Sequence, residues 1–284
     1  MANQEYQKLK IECDDLEWLY VPDEVYADYD GCKRCLQLFI PYRQKLAAEE
    51  TFPLVLFIPG SAWYRQEVYN SLPAYSRLAE RGIVTAILQF RESTIAPFPA
   101  QVEDAKAALR FLAARAEDYH IDTERIFIAG NSSGGHIALM TAFTEAQGIF
   151  DTPMYQEAPC RIKGVIAQSA PSDIMKCAKE PLPPGFPESF RPTRDLLGVK
   201  EVLESPELAE AASCGKYISK LPNCRRCCYF MELMTCMFLW NTAGSCLRCL
   251  KEPGRMRPIM KLRAAAMEER SSGQIGYLIL WRHL

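Results

Sequence analysis

A chain of 284 residues and 32.2 kDa has room for one large α/β domain or two small ones. With 49% apolar and 24% charged residues it can close a core, which excludes a disordered chain. A formal charge of −2 offers no general attraction to nucleic acid or to an anionic membrane. Met1–Lys10 is polar, and no stretch approaches the ~18 apolar residues that span a bilayer. The expectation is a cytoplasmic protein whose thiols stay reduced.

A polar lead-in gives way to a predicted hairpin, Glu24–Tyr29 and Cys35–Pro41 about the turn Asp30–Gly31. Cys32 and Cys35 straddle it and read as two ordinary thiols. Pro53–Ile58 (PLVLFI) is a continuous apolar run, the pattern of a strand buried on both faces, and it ends at Pro59–Gly60. Helical spacing over Leu72–Arg81 leads to a second buried strand, Ile83–Phe90. Over Gln101–Tyr119 the periodicity is strong, with Val102, Ala105, Leu109, Leu112 and Ala113 sharing a face. A short strand at Arg125–Ala129, a helix over His136–Ala146 and a strand at Ile162–Gln168 continue the alternation. Such β/α alternation predicts a mostly parallel sheet with helices on both faces. Pro181–Pro192 is rich in Pro and Gly and reads as a surface excursion or a cap over the sheet.

The chemistry is expected between strand Arg125–Ala129 and the helix after it. Gly130-Asn131-Ser132-Ser133-Gly134-Gly135-His136 carries G-x-S-x-G in the strand–turn–helix setting that this motif requires. A serine at a sharp elbow holds a strained backbone, so Gly130 and Gly134 must lack side chains that would clash. The hydroxyl of Ser132 then stands above the carboxyl ends of the strands, where open α/β sheets bind ligands. Free N–H groups at the start of the next helix face a developing oxyanion. His136, one helical turn further on, is expected to pack beneath the elbow rather than act as base. His120, in YHIDTER, reads as a solvated surface residue. Asp173, after the next strand, is a candidate triad acid, with helix N-capping as the competing assignment.

FIPGSAW, PFPAQVEDAKAALRFL, IDTERIFIAGNSSGGHIAL and SAPSDI together resemble the α/β-hydrolase superfamily. The similar branch is the esterase/lipase group of feruloyl-esterase-like (BD-FAE-like) hydrolases, over about residues 20–220. The resemblance implies Ser132 as nucleophile and an oxyanion hole built from Gly60, Ser61 and Ser133. The family's loop reads His-Gly-Gly-x-Trp; here Pro59 and Ser61 replace the His and the second Gly. Backbone donation by Ser61 needs no particular side chain. The family also needs the order Ser…Asp…His, with its acid in H-G-x-x-D-x-x-V-P and its base in G-x-G-H-G.

Neither pattern occurs after Lys220, where the composition breaks. Residues 1–220 carry 23 Lys+Arg and 31 Asp+Glu, a net of −8, whereas 221–284 carry 10 and 4, a net of +6. Six of the twelve Cys and six of the ten Met lie in that last stretch. Cys224-x-x-Cys227 and Cys246-x-x-Cys249 have the spacing of a four-thiolate zinc site. The apolar run MELMTCMFLW and the absence of knuckle glycines argue against one.

A displaced reading frame explains the break better. Back-translating Cys227–Phe238 and reading from the third base of each codon gives L-L-(L/F)-(H/Y)-G-x-x-D-x-x-V, with the Gly, Asp and Val codons forced. In the same frame Ala264–Glu269 permits G-G-H-G-G. The missing acid and base motifs emerge together, in the right order. The chain is therefore expected to be an incomplete α/β-hydrolase core over 1–220, followed by an aberrant Cys-rich basic segment over 221–284. The last strands and closing helix of the fold would be missing or aberrant.

The function expected is hydrolysis of small carboxylic esters through a serine nucleophile, impaired in this chain for lack of the triad Asp and His. No cofactor and no metal are called for. An exopeptidase of the same fold is the enzymatic alternative. A hydrolase-like scaffold with a zinc- or partner-binding tail is the non-enzymatic one.

Overall fold

The computed structural model describes residues 14–158, 160–182 and 185–218. The segment after Lys220, with the expected frame displacement and the two C-x-x-C pairs, lies outside these residues. Six strands form one sheet: β1 (Glu17–Tyr29), β2 (Cys32–Tyr42), β3 (Phe52–Ile58), β4 (Val84–Leu88), β5 (Ile121–Asn131) and β6 (Ile162–Gln168). Their order across the sheet is β1-β2-β4-β3-β5-β6. β1 and β2 form an antiparallel hairpin, β2 pairs antiparallel with β4, and the β4–β3–β5–β6 pairings are all parallel. Helices α1 (Leu72–Ala79), α2 (Ala100–Ala114), α3 (Ser133–Thr144) and α4 (Ile174–Lys179) follow β3, β4, β5 and β6 respectively. Three short helices close the described chain: α5 (Pro192–Leu197), α6 (Pro206–Ala211) and α7 (Gly215–Ile218).

The two-residue period of a strand divides each apolar run between the sheet's two faces. Leu54, Leu56 and Ile58 of β3 enter the larger core with α2 and α3. Val55 and Phe57, which alternate with them, join Phe39, Ile87 and Ala129 on the α1 side. This two-sided burial is why β3 and β4 read as unbroken apolar runs rather than as alternation. α3 is buried along nearly its whole length. A helix so enclosed fixes its N-terminal end, and the turn leading into it, against the sheet.

Element order matches the sequence expectation, whereas several bounds differ. The hairpin is longer, because β1 and β2 pair from Glu17↔Tyr42 onward. Irregular pairing between Val21/Glu24 and Val25/Ala27 breaks the alternation a reader would follow there. α2 stops at Ala114 rather than Tyr119, and Tyr119 instead packs its ring on Phe111. His120 is not a solvated residue. It is half-buried, with a left-handed φ of +53° and its Nδ1 3.0 Å from the Glu50 carbonyl, immediately before β5 begins at Ile121. Among the described residues of Pro181–Pro192 there is no helix or strand until α5 starts at Pro192, as expected of a surface excursion.

Candidate active site

β5 delivers Ser132 to the carboxyl edge of the sheet, and α3 starts one residue later. Ser132 has φ +52° and ψ −126°. A residue with a side chain holds this region at a cost of about 1–3 kcal/mol, so the surroundings must over-determine it. They do: the Ser132 N–H donates to the Gln168 carbonyl (2.8 Å), and the His136 N–H donates to the Ser132 carbonyl (3.1 Å). Among the described residues the Ser132 hydroxyl caps no helix and makes no hydrogen bond, which leaves Oγ available.

The glycines of the motif are explained by what a methyl group would meet. A Cβ at Gly130 would stand 2.5 Å from the carbonyl of Gly134. One at Gly134 would stand 2.0 Å from the Ile58 carbonyl oxygen. One at Gly60 would stand 2.6 Å from the Asn131 carbonyl oxygen and 2.8 Å from the Ser132 Cβ. Gly60 is therefore what lets the loop after β3 lie against the elbow.

That loop, Pro59–Tyr64, is tied down residue by residue. The Gly60 N–H donates to Asn131 Oδ1 (2.9 Å), and the Ser61 N–H donates to Ser133 Oγ (2.9 Å). Both N–H groups expected to face the oxyanion thus serve side chains of the elbow in this structure. Ala62 and Trp63 follow with left-handed φ values of +53° and +62°. The Trp63 carbonyl accepts from the Ser93 N–H (2.9 Å), and the Tyr64 hydroxyl donates to Asp195. Gln66 binds the Tyr64 carbonyl through Nε2 and the Phe90 N–H through Oε1, joining the loop to the end of β4.

His136 is fully buried beneath this loop, as expected. Trp63 Nε1 can only donate, so its 3.1 Å bond to His136 Nδ1 fixes that nitrogen as the bare one. Nε2 therefore carries the proton and donates to the Ala212 carbonyl at 2.7 Å. With both nitrogens engaged and the ring edge-on to Trp63, His136 joins α3, the loop and the α6–α7 turn. Burial depresses its pKa from 6.5 to about 4. The unfolded chain accordingly takes up a proton near 6.5 that the folded one refuses until about 4. Stability from this group is present above pH 6.5, falls as pH drops from there towards 4, and amounts to roughly 3 kcal/mol. His136→Phe is expected to be less stable at pH 7 and to lose less stability between pH 7 and 4.5. Urea midpoints at the two pH values check this, and parallel slopes in parent and variant would exclude it.

Asp173 is the N-cap of α4, its Oδ1 accepting from the Lys176 N–H at 2.9 Å. This is the competing assignment made for it from sequence. Cys32 and Cys35 are free thiols at the start of β2, the first accepting from Arg34 Nη2 at 2.9 Å. Beyond Tyr64, whose ring meets Phe190, the excursion and α4 enclose a hollow of about 360 Å³ lined by Cys177, Glu180, Leu182, Phe190 and Arg191. Its two charged residues, Glu180 at the end of α4 and Arg191 in the excursion, were not singled out from sequence.

A mostly parallel six-stranded sheet, flanked by helices and carrying a serine in a strained β5–α3 turn, defines an α/β-hydrolase. A BD-FAE family model matches residues 36–223, and the chain belongs to that family. It is 31% identical over 145 residues to a probable carboxylic ester hydrolase, LipM, of Mycobacterium tuberculosis, spanning 51% of this chain and 33% of LipM. A probable isoprenylcysteine alpha-carbonyl methylesterase, ICMEL1, of Oryza sativa is 35% identical over 94 residues, 33% of this chain and 22% of its own. The matched region thus spans a third or less of these curated relatives. Among solved structures, esterase B from Lactobacillus rhamnosis superposes with a TM-score of 0.64 at 16% identity, covering 83% of this chain and 71% of the esterase. A bifunctional GH43-CE protein of Bacteroides eggerthii gives 0.64 at 23% identity, covering 85% and 31% respectively. These last two likenesses concern the fold. Among the described residues, no helix is long and apolar enough to cross a membrane.

Proposed function

We propose that this chain derives from a hydrolase of small carboxylic esters with Ser132 as nucleophile. The observation that carries the reading is Ser132 itself, held at φ +52° with its hydroxyl unengaged beside the N-terminus of α3. Ser132 Oγ bonds to the acyl carbon while its proton passes to a base, and the carbonyl oxygen becomes an oxyanion between the loop and the α3 N-terminus. The Ser133 N–H is one donor to it. Collapse of the intermediate breaks the ester C–O bond, the alcohol leaves with the proton, and water then releases the acid. The names of the curated relatives support an ester as substrate.

The base and acid of this reaction are assigned to the displaced frame after about Leu221–Asn223. The two described histidines support that assignment: His136 has both nitrogens occupied, and His120 meets the Glu50 carbonyl before β5. The family match also ends at residue 223, beside the proposed break. On this reading residues 1–220 are a hydrolase core whose triad is unfinished, and the chain as written is impaired.

The test of reaction class is turnover of p-nitrophenyl esters against aminoacyl anilides. Hydrolysis of the esters alone is expected. Preferential cleavage of the anilides would replace the ester reading with a peptidase.

A further inference from the structure

Two side chains flank the nucleophile, and each holds one N–H of the facing loop. Asn131 takes Gly60, and Ser133 takes Ser61. Ser133 is buried to 1% exposure at the first position of α3, so its hydroxyl has little freedom to turn elsewhere. The Ser61 hydroxyl donates back to the Tyr64 carbonyl (2.7 Å), and the Tyr64 N–H donates to the Ser61 carbonyl (3.0 Å), which closes the turn around Ala62 and Trp63. Ala62 is half-buried, and its N–H has no hydrogen-bond acceptor among the described residues.

We propose that the Ser133 hydroxyl is a positioning residue for hydrolysis: by accepting the Ser61 N–H it fixes the loop so that the Ala62 N–H is the loop's donor to the oxyanion. Ser133 then acts twice, with its backbone N–H on the substrate oxygen and its hydroxyl on the loop. The proposal rests on Ser132 being the nucleophile, but its first test does not. A hydrogen-bonded amide exchanges with solvent only when the bond opens. In the full 284-residue chain the Ser61 amide is expected to exchange at least about tenfold more slowly than the Ala62 amide by nuclear magnetic resonance. Ser133→Ala should abolish that difference, and Ser133→Thr, which retains the hydroxyl, should restore it.

The second test is the split between kcat and KM for a p-nitrophenyl ester. Ser133→Ala is expected to lower kcat about five- to tenfold, the size of one neutral hydrogen bond, with KM unchanged. Ser133→Thr should recover most of the rate. Unprotected Ser61 in the parent chain, an unchanged kcat in Ser133→Ala, or equal losses in the Ala and Thr variants would each overturn the assignment. If Ser132 were not the nucleophile, Ser132→Ala would leave ester turnover intact even in a chain returned to the other reading frame after about codon 221, while the Ser61 exchange pattern stood.

Discussion

Inserting one nucleotide near codon 221, so that later codons are read from the third base of the present ones, is expected to raise ester turnover by about 10⁴–10⁶. The size follows from what a serine hydrolase loses without its base. An unassisted hydroxyl is a weak nucleophile at neutral pH, and a positioned imidazole is what removes its proton as the bond to carbon forms. The residual rate of a base-less enzyme comes from substrate binding and the oxyanion donors alone. Members of such a unit are strongly non-additive, and this supplies the control. In the chain as written, Ser132→Ala is expected to change turnover little, because on the proposed reading the base that would activate Ser132 is encoded in the other frame. In the frame-restored chain the same substitution should remove nearly the whole gain. Assays of the four proteins against p-nitrophenyl butyrate, with sequencing of the gene through codon 284, decide the matter. A frame that closes on an early stop codon, or a restored chain no faster than its parent, would end the proposal.

The parts of the fold that were legible in the sequence are those where one physical cause dominates. Pro53–Ile58 is read nearly to its ends, because burial on both faces leaves an apolar run bounded by Pro, Gly or polar residues. The elbow was legible because Gly130 and Gly134 can be nothing else where backbone approaches this closely. His136 could be placed by helical spacing alone, one turn past Ser132.

What escaped was set by partners far away in the chain. α2 is periodic on through Tyr119, yet it ends at Ala114, and its continuation turns so that Ile121 can meet Phe52. The ties of this loop escaped for a related reason. FIPGSAW shows that a loop approaches the elbow, but the acceptors of its Gly60 and Ser61 N–H groups are Asn131 and Ser133, more than seventy residues later. Local pattern carries no record of such a pairing. A second serine after Ser132 was the available signal, since its hydroxyl is a hydrogen-bond acceptor held at the mouth of a helix.

Gly134→Ala is expected to cost more stability than any other single methyl addition in the elbow. Its Cβ would lie 2.0 Å from the Ile58 oxygen, 2.7 Å from the Ile58 carbon and 2.8 Å from the Pro59 oxygen. All three are backbone atoms, so no side chain can rotate away. Relief requires α3 to withdraw from β3 by more than about 1 Å, against a close-packed interior. α3 is the helix least free to move, being buried from Ser133 to Thr144 with only Ala142 partly exposed. Its withdrawal would also part His136 from Trp63 and Ser133 from Ser61, so the loop would lose two anchors together. The penalty belongs among the exceptional ones, above about 4–5 kcal/mol, and is comparable with the roughly 5–15 kcal/mol that keeps a domain folded. At about 2–4 °C per kcal/mol the thermal midpoint should fall by at least about 10 °C. Gly215→Ala is the matched control, because a Cβ there meets nothing within 4 Å and the residue opens α7 at an ordinary φ. It should leave the midpoint unchanged or raise it slightly. Circular dichroism melts of the two variants beside the parent give the comparison. A Gly134→Ala protein melting within about 1 °C of the parent would mean that the elbow is not packed against β3 as described.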